Sequence, residues 1–157
     1  MPLTVDEVER RMRPGGWSPK PMLLPGESLA ARLETDATRL AQLGTAAEAL
    51  GTRLAELLTS AEGSDWFRPR RHADYDVELR KRRGLITCPW AEEEYAKCAH
   101  GLGARATANE FVIRRVRSSL ALSGYELSAH LIRDHGFFGG AGTVFRIEPD
   151  DLAALFA

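Results

Sequence analysis

The sequence predicts an α+β fold, in which an N-terminal helical hairpin precedes a small, mostly antiparallel sheet carrying one further helix. Three observations carry that prediction. Leucine and alanine recur at spacings of three and four between Leu29 and Leu58. Apolar and charged residues alternate from Tyr75 to Leu79. A short helical pattern, Leu127, Leu131 and Ile132, stands between strand-like runs. Near Gly63 the composition shifts from Leu and Ala toward aromatic, Arg and β-branched residues, which divides a helical region 1–62 from an α+β region 63–157.

In chain order, Thr4 and Glu7 form a capping-box pattern ahead of Val5, Val8 and Met12, and Pro14-Gly15-Gly16 stops that helix. Pro19, Pro21 and Pro25 predict an extended connector, anchored on the protein by Trp17, Met22, Leu23 and Leu24. Leu29, Leu33, Ala37, Leu40 and Leu43 predict a second helix ending at Gly44. Thr45 and Glu48 suggest another capping box, before a third helix with Leu50, Leu54, Leu57 and Leu58 on its apolar face. We read these stripes as core; an Ala-rich seam for a second copy is the alternative. Strands are expected at Tyr75–Leu79, at Leu85–Ile86, over Phe111–Val116 and over Val144–Ile147. Ser123 and Glu126 form a third capping pattern before the helix that Gly136 ends, and Pro149-Asp150-Asp151 opens a closing helix.

At 157 residues the chain fits one domain, or one domain with a helical appendage. With 44% apolar and 27% charged residues it is too apolar to be disordered. A formal net charge of -1 gives no global reason to bind nucleic acid or membrane and leaves only local patches to do so. Met-Pro-Leu-Thr-Val-Asp-Glu does not read as a secretory signal, and no apolar run approaches the roughly 20 residues that span a bilayer. A cytoplasmic protein without a membrane role is the expectation. In a reducing compartment its two cysteines are metal ligands or buried thiols in preference to a disulfide.

Thiolates and imidazoles are the usual protein donors to Zn2+, and the chain has two cysteines and four histidines. The pairs are Cys88-x9-Cys98 and His130-x4-His135, with 31 residues between Cys98 and His130. Histidines five apart on an ideal helix point about 140° away from each other, so they converge only if the last turn tightens or unwinds before Gly136. The stretch Leu127-Ser-Ala-His130-Leu-Ile-Arg-Asp-His135 resembles the helical half of a Cys2His2 zinc finger, with an apolar residue three positions before the first histidine. The resemblance covers about a dozen residues and implies His130 and His135 as ligands, with Cys88 and Cys98 brought up from a preceding strand. Both the cysteine spacing and the Cys-to-His gap are longer than in standard fingers, so the expectation is an elaborated finger inside a larger α+β domain. Two buried thiols with two helix-end histidines is the competing reading. His100 is the candidate to replace Cys98 or His135. A site closed by four protein ligands leaves no position for a reactive water, so structural zinc is expected.

Arg68, Arg70, Arg71, Arg80, Lys81, Arg82 and Arg83, interleaved with Trp66, Phe67 and Tyr75, are the candidate contacts for nucleic acid or another anion. Arg114, Arg115 and Arg117 on a neighbouring strand would enlarge this basic surface if they project to the same side, whereas Asp74, Asp76 and Glu78 argue for a solvated sheet face. His72, among Arg70, Arg71 and Asp74, reads as exposed or as facing a phosphate-like partner. Glu126, His130 and Asp134 recur every four residues, which motivates a metal-dependent hydrolase as an alternative, although no His-Glu-x-x-His motif is present. A structural or regulatory module for a protein partner, a homodimer included, is the third reading. There Phe137, Phe138 and the Gly139-Gly140-Ala141-Gly142 run would be a mobile aromatic loop, or more simply a flexible connector. Neither a nucleophile elbow nor a Cys-x-x-Cys pair is present, which leaves serine hydrolysis and thiol redox catalysis without support.

Overall fold

A computed structural model of the chain describes residues 3–62 and 69–157. Thr4 opens α1 (Val5–Met12) with a complete capping box: its hydroxyl accepts from the Glu7 amide at 3.2 Å, and the Glu7 carboxylate accepts from the Thr4 amide at 3.4 Å. Val8 and Met12, one turn apart, form the buried face. The proline-containing connector lies against the protein, with Met22 and Leu23 buried and both of their amides donating to the Met12 carbonyl.

Ser28 caps α2 (Leu29–Gln42), and a turn through Gly44 leads to α3 (Ala47–Ser60). The expected Thr45–Glu48 box does not form. Thr45 instead donates to the Leu40 carbonyl and so belongs to the turn that ends α2, while Ala46 sits at the start of α3 with no side-chain cap. Of the α2 stripe, Leu29 and Leu40 are buried, Leu33 is half-buried, and Ala37 and Leu43 are exposed.

The sheet is an antiparallel meander of β1 (Arg70–His72), β2 (Tyr75–Arg80), β3 (Glu110–Arg115) and β4 (Ala121–Tyr125). Register pairs Val77 with Ile113 and Leu79 with Phe111, so Tyr75, Val77, Leu79, Phe111 and Ile113 share the buried face. The α+β class holds, with two strands in other places than expected. Leu85–Ile86 and Val144–Ile147 run as irregular chain, in which Ile86, Phe145 and Ile147 are buried anchors and Val144 is exposed. Short apolar runs serve equally as strands or as anchors, and periodicity does not distinguish them. Ser123 does not cap a helix, because it is the β4 partner of Val112. Glu126 takes a different task, accepting from Asn109 Nδ2 at 2.9 Å and Thr107 Oγ1 at 3.4 Å.

Two elements complete the fold, α4 (Leu127–His135) and α5 (Pro149–Leu155). The sequence of α4 is apolar on opposite sides. Ala129 and Ile132 join α3, α5 and the sheet in one core cluster, whereas Leu127 and Leu131 join α1, the connector and both cysteines in a second. A helix buried from two directions is held in place more tightly than a surface helix. α3 and α4 approach closely at Gly51, where a β-carbon would stand 2.6 Å from the Arg133 Cα. Glycine costs a helix interior roughly 0.5–1 kcal/mol relative to alanine; here it lets two backbones touch.

The Phe137–Gly142 segment is neither a mobile loop nor a slack connector. Phe137 and Phe138 are both buried, one in each core cluster. The Gly140 amide donates to the Met22 carbonyl at 2.8 Å and the Ala141 amide to Glu27 Oε1 at 2.9 Å, tying the run to the proline connector.

Candidate metal centre

Cys88, Cys98, His130 and His135 each present one donor atom, and these four atoms all lie within 4.8 Å of one another. Each arrives on a locally fixed element. Cys88 begins the turn Cys88-Pro89-Trp90-Ala91, closed by the Ala91 amide on the Cys88 carbonyl at 2.9 Å. Arg11 of α1 grips that turn by donating from Nη1 to the carbonyls of Pro89 and Ala91, both at 2.8 Å. Cys98 begins a tight hairpin whose ends are bridged in both directions between Cys98 and Ala104. The two cysteines thus sit in separate turns, and backbone amides bond each sulfur: those of Trp90 and Ala91 to Cys88, that of His100 to Cys98. Amides aimed at sulfur favour the thiolate.

The histidines occupy the middle and the last position of α4. The helix ends directly after His135 in a left-handed Gly136 (φ +67°), whose amide reaches both the Ile132 and Leu131 carbonyls while the Phe137 amide reaches Leu131 at 3.0 Å. The two imidazole rings meet with centroids 4.9 Å apart and planes perpendicular. Trp90 stacks flat on His135, centroid to centroid 4.1 Å, and sets that ring's orientation.

Distances within the cluster fit a metal. His135 Nε2 lies 3.4 Å from Cys88 Sγ and 3.7 Å from Cys98 Sγ. With zinc–sulfur bonds near 2.3 Å and zinc–nitrogen bonds near 2.0 Å, a tetrahedral S···N edge is about 3.5 Å. The stronger observation is His130. It is 3% exposed, yet its Nε2 has no hydrogen-bond partner among the described residues, and a buried imidazole nitrogen left unpaired is costly unless something coordinates it.

The other nitrogen of that ring shows how the site is supported. His130 Nδ1 is 2.6 Å from Asp134 Oδ2, one helical turn on. Arg133 and the Leu102 amide donate to the same carboxylate. Burial opposes ionisation of Asp134, but the bonds from Arg133, His130 and Leu102 prevail and bring it down to about 2. An ionised carboxylate on Nδ1 fixes the tautomer that leaves Nε2 as a lone-pair donor. Gly101 lets the Cys98 hairpin approach this carboxylate: its φ is +60°, and a β-carbon there would collide with Asp134. Asp134 therefore joins the Cys98 hairpin to the helix carrying both histidines. Asp134→Asn is expected to lower metal affinity about 10- to 100-fold with little change in secondary structure, as read by competition with a chromophoric chelator and by circular dichroism.

Electrostatics suit the same use. The hydrogen bond from Cys88 lowers Cys98 to about 4, with further help from the His100 amide and His135. Cys88 is raised by that shared bond and by burial, so the pair holds one proton that a bound dication would release. Burial lowers His135, which favours the neutral, ligating imidazole. His100 lies outside the cluster: it is exposed, its ring centroid 5.7 Å from that of His135.

Sequence reasoning missed how Asp134 and Trp90 support the site, although Asp134 stands four residues after His130 and is thereby legible as a partner on the same helical face. Glu126, the other carboxylate in that spacing, binds Asn109 and Thr107.

The basic run is dispersed. Arg68, with Trp66 and Phe67, lies outside the described residues. Arg70, Arg71 and His72 are exposed on β1, and Arg71 pairs with Asp76 at 2.6 Å. Arg80 pairs with Glu78 at 3.0 Å, Arg82 with Glu110, and Arg115 with Asp74 at 3.2 Å. Lys81 and Arg83 are exposed. Cross-strand register sets Arg114 opposite Asp76, so this sheet face alternates in sign.

Fold and centre together define an α+β protein with a buried Cys2His2 cluster compatible with a metal ion. Neither a family model, nor a curated protein, nor a solved structure matches the chain. No helix among the described residues is long and apolar enough to cross a membrane.

Proposed function

We propose that the chain is a zinc protein in which Cys88, Cys98, His130 and His135 hold one structural Zn2+ that cross-links three segments: the Cys88 turn clamped by α1, the Cys98 hairpin and α4. The observation that carries this reading is the orphaned, buried Nε2 of His130 aimed into a cluster of two sulfurs and a second imidazole. Two soft and two borderline donors select zinc over magnesium or calcium, which take oxygen donors. Bound there, zinc would supply cohesion between segments distant in sequence. A catalytic zinc keeps an open position, and four protein donors close this set; Asp134, the carboxylate bonded to His130, is engaged with His130, Arg133 and Leu102. The role we favour is a metal-pinned scaffold that holds a binding surface in shape, and not a hydrolase.

Metal analysis of the purified chain tests this directly. About one zinc per chain is expected, and prolonged chelation should lower the melting temperature until zinc is restored. Metal-free protein with an unchanged melting temperature would refute the proposal.

A further inference from the structure

We propose a second, metal-independent site: the cleft between the proline connector, the Arg82–Ile86 segment and β4 binds a small anion with a flat apolar body, an oxyanion such as a carboxylate or phosphate carried on an aromatic ring. The cleft encloses about 320 Å³, at the small end of ligand-site volumes of roughly 300–1,000 Å³. An adjoining hollow of about 240 Å³ shares Lys20, Glu110 and Tyr125 with it.

Its polar lining is almost entirely donors. Lys20 and Arg83 stand at the cleft, and no carboxylate pairs with either among the described residues. Tyr125 also lines the cleft, and burial, with Glu110 nearby, raises it above its usual range, which keeps its hydroxyl protonated and able to donate. The single carboxylate present, Glu110, is already held by Arg82. A concave site with two cations unpaired among the described residues, a tyrosine hydroxyl and its one carboxylate held by Arg82 is complementary to an oxyanion.

The walls supply the rest. Tyr125 is stacked on Phe145 at 4.6 Å between centroids, and Leu85, 49% exposed, offers apolar surface at the rim. Leu85, Ile86, Arg82 and Arg83 stand out in the sequence and are not used by the metal centre. A flat apolar body beneath a terminal oxyanion would satisfy both halves of this lining.

The probes are 2-naphthoate and 1-naphthyl phosphate, with 2-naphthamide as the uncharged control, titrated into the purified full chain and followed by amide NMR. Saturable shifts are expected at residues 18–20, 83–86 and 125, with the amide binding at least about tenfold more weakly than the better anion. Whichever anion binds more tightly names the headgroup. Lys20→Ala combined with Arg83→Ala removes two exposed side chains that are unpaired among the described residues, so the fold should be unchanged while anion affinity falls about tenfold. Equal binding of amide and anions, an unaffected double variant, or no saturable shift at these residues would each overturn the proposal. None of those results depends on whether the metal reading holds.

Discussion

Replacing Cys88 with serine, or His130 with alanine, is expected to strip the zinc from the chain and to collapse the packing around the Cys88 turn, the Cys98 hairpin and α4. Both side chains are almost fully buried, Cys88 at 1% and His130 at 3% exposure. Structural zinc sites carry an apparent binding free energy of about 10–16 kcal/mol near neutral pH, as large as the roughly 5–15 kcal/mol that keeps a whole domain folded. Loss of one ligand weakens metal binding and leaves the remaining polar donors buried without a partner, so the two costs act in the same direction. Zinc content and near-ultraviolet circular dichroism should fall together in both variants. His100→Ala supplies the contrast, since that exposed residue lies outside the cluster and its loss should leave zinc content intact. If zinc and melting temperature persist in the Cys88 and His130 variants, these residues are not ligands.

Asp36→Ala is expected to destabilise the chain by about 3–5 kcal/mol, the usual cost of removing one partner from a buried ion pair. Asp36 is 2% exposed, on the inner face of α2. Arg146 grips it through two parallel bonds, Nη1 to Oδ2 at 2.7 Å and Nη2 to Oδ1 at 3.0 Å, and also donates to the Gly139 carbonyl at 3.0 Å. Arg32 approaches the same carboxylate at 3.5 Å from one turn away. Without Asp36, a largely buried guanidinium loses its main counter-charge and α2 loses its tie to the segment leading into α5. Chemical denaturation of the purified protein measures the effect. A loss below about 1 kcal/mol, the worth of an exposed pair, would show that this contact does not behave as buried.

Local signals were the legible part of this sequence. The Thr4–Glu7 box, the Gly44 and Gly136 stops and the alternation from Tyr75 to Leu79 are written within a few residues and reappear in the fold. The four clustered residues were legible because the chain has few thiols and imidazoles and zinc chemistry restricts the choice. What failed depended on competition between distant partners. Ser123 fits a cap, yet β-pairing with Val112 claims it. Thr45 fits a cap, yet the preceding helix end claims its amide. Val144–Ile147 has the composition of a strand, but its backbone is drawn into a bond between the Ile147 amide and the Phe138 carbonyl, and no strand among the described residues pairs with it.

The cysteine spacing shows the same limit from another side. Nine intervening residues look too long for a single knuckle, and they are: each sulfur has its own turn, one fixed by Arg11 from 77 positions upstream of Cys88, the other by Asp134 through Leu102. Such supports are tertiary, and no window of sequence contains them. The Gly139–Gly142 run misleads for a related reason. Glycine signals freedom in an exposed loop, but this one is held against the proline connector.

Titration of the metal-free chain with Co2+ under anaerobic conditions interrogates the four donors most directly, because cobalt reports both coordination geometry and thiolate ligation in its visible spectrum. Saturation at about one equivalent, with intense tetrahedral bands, sulfur-to-metal charge transfer, and bleaching on adding zinc, is the expected result. A weak octahedral spectrum without charge transfer, or no saturation, would mean that these two sulfurs and two imidazoles do not bind a common ion.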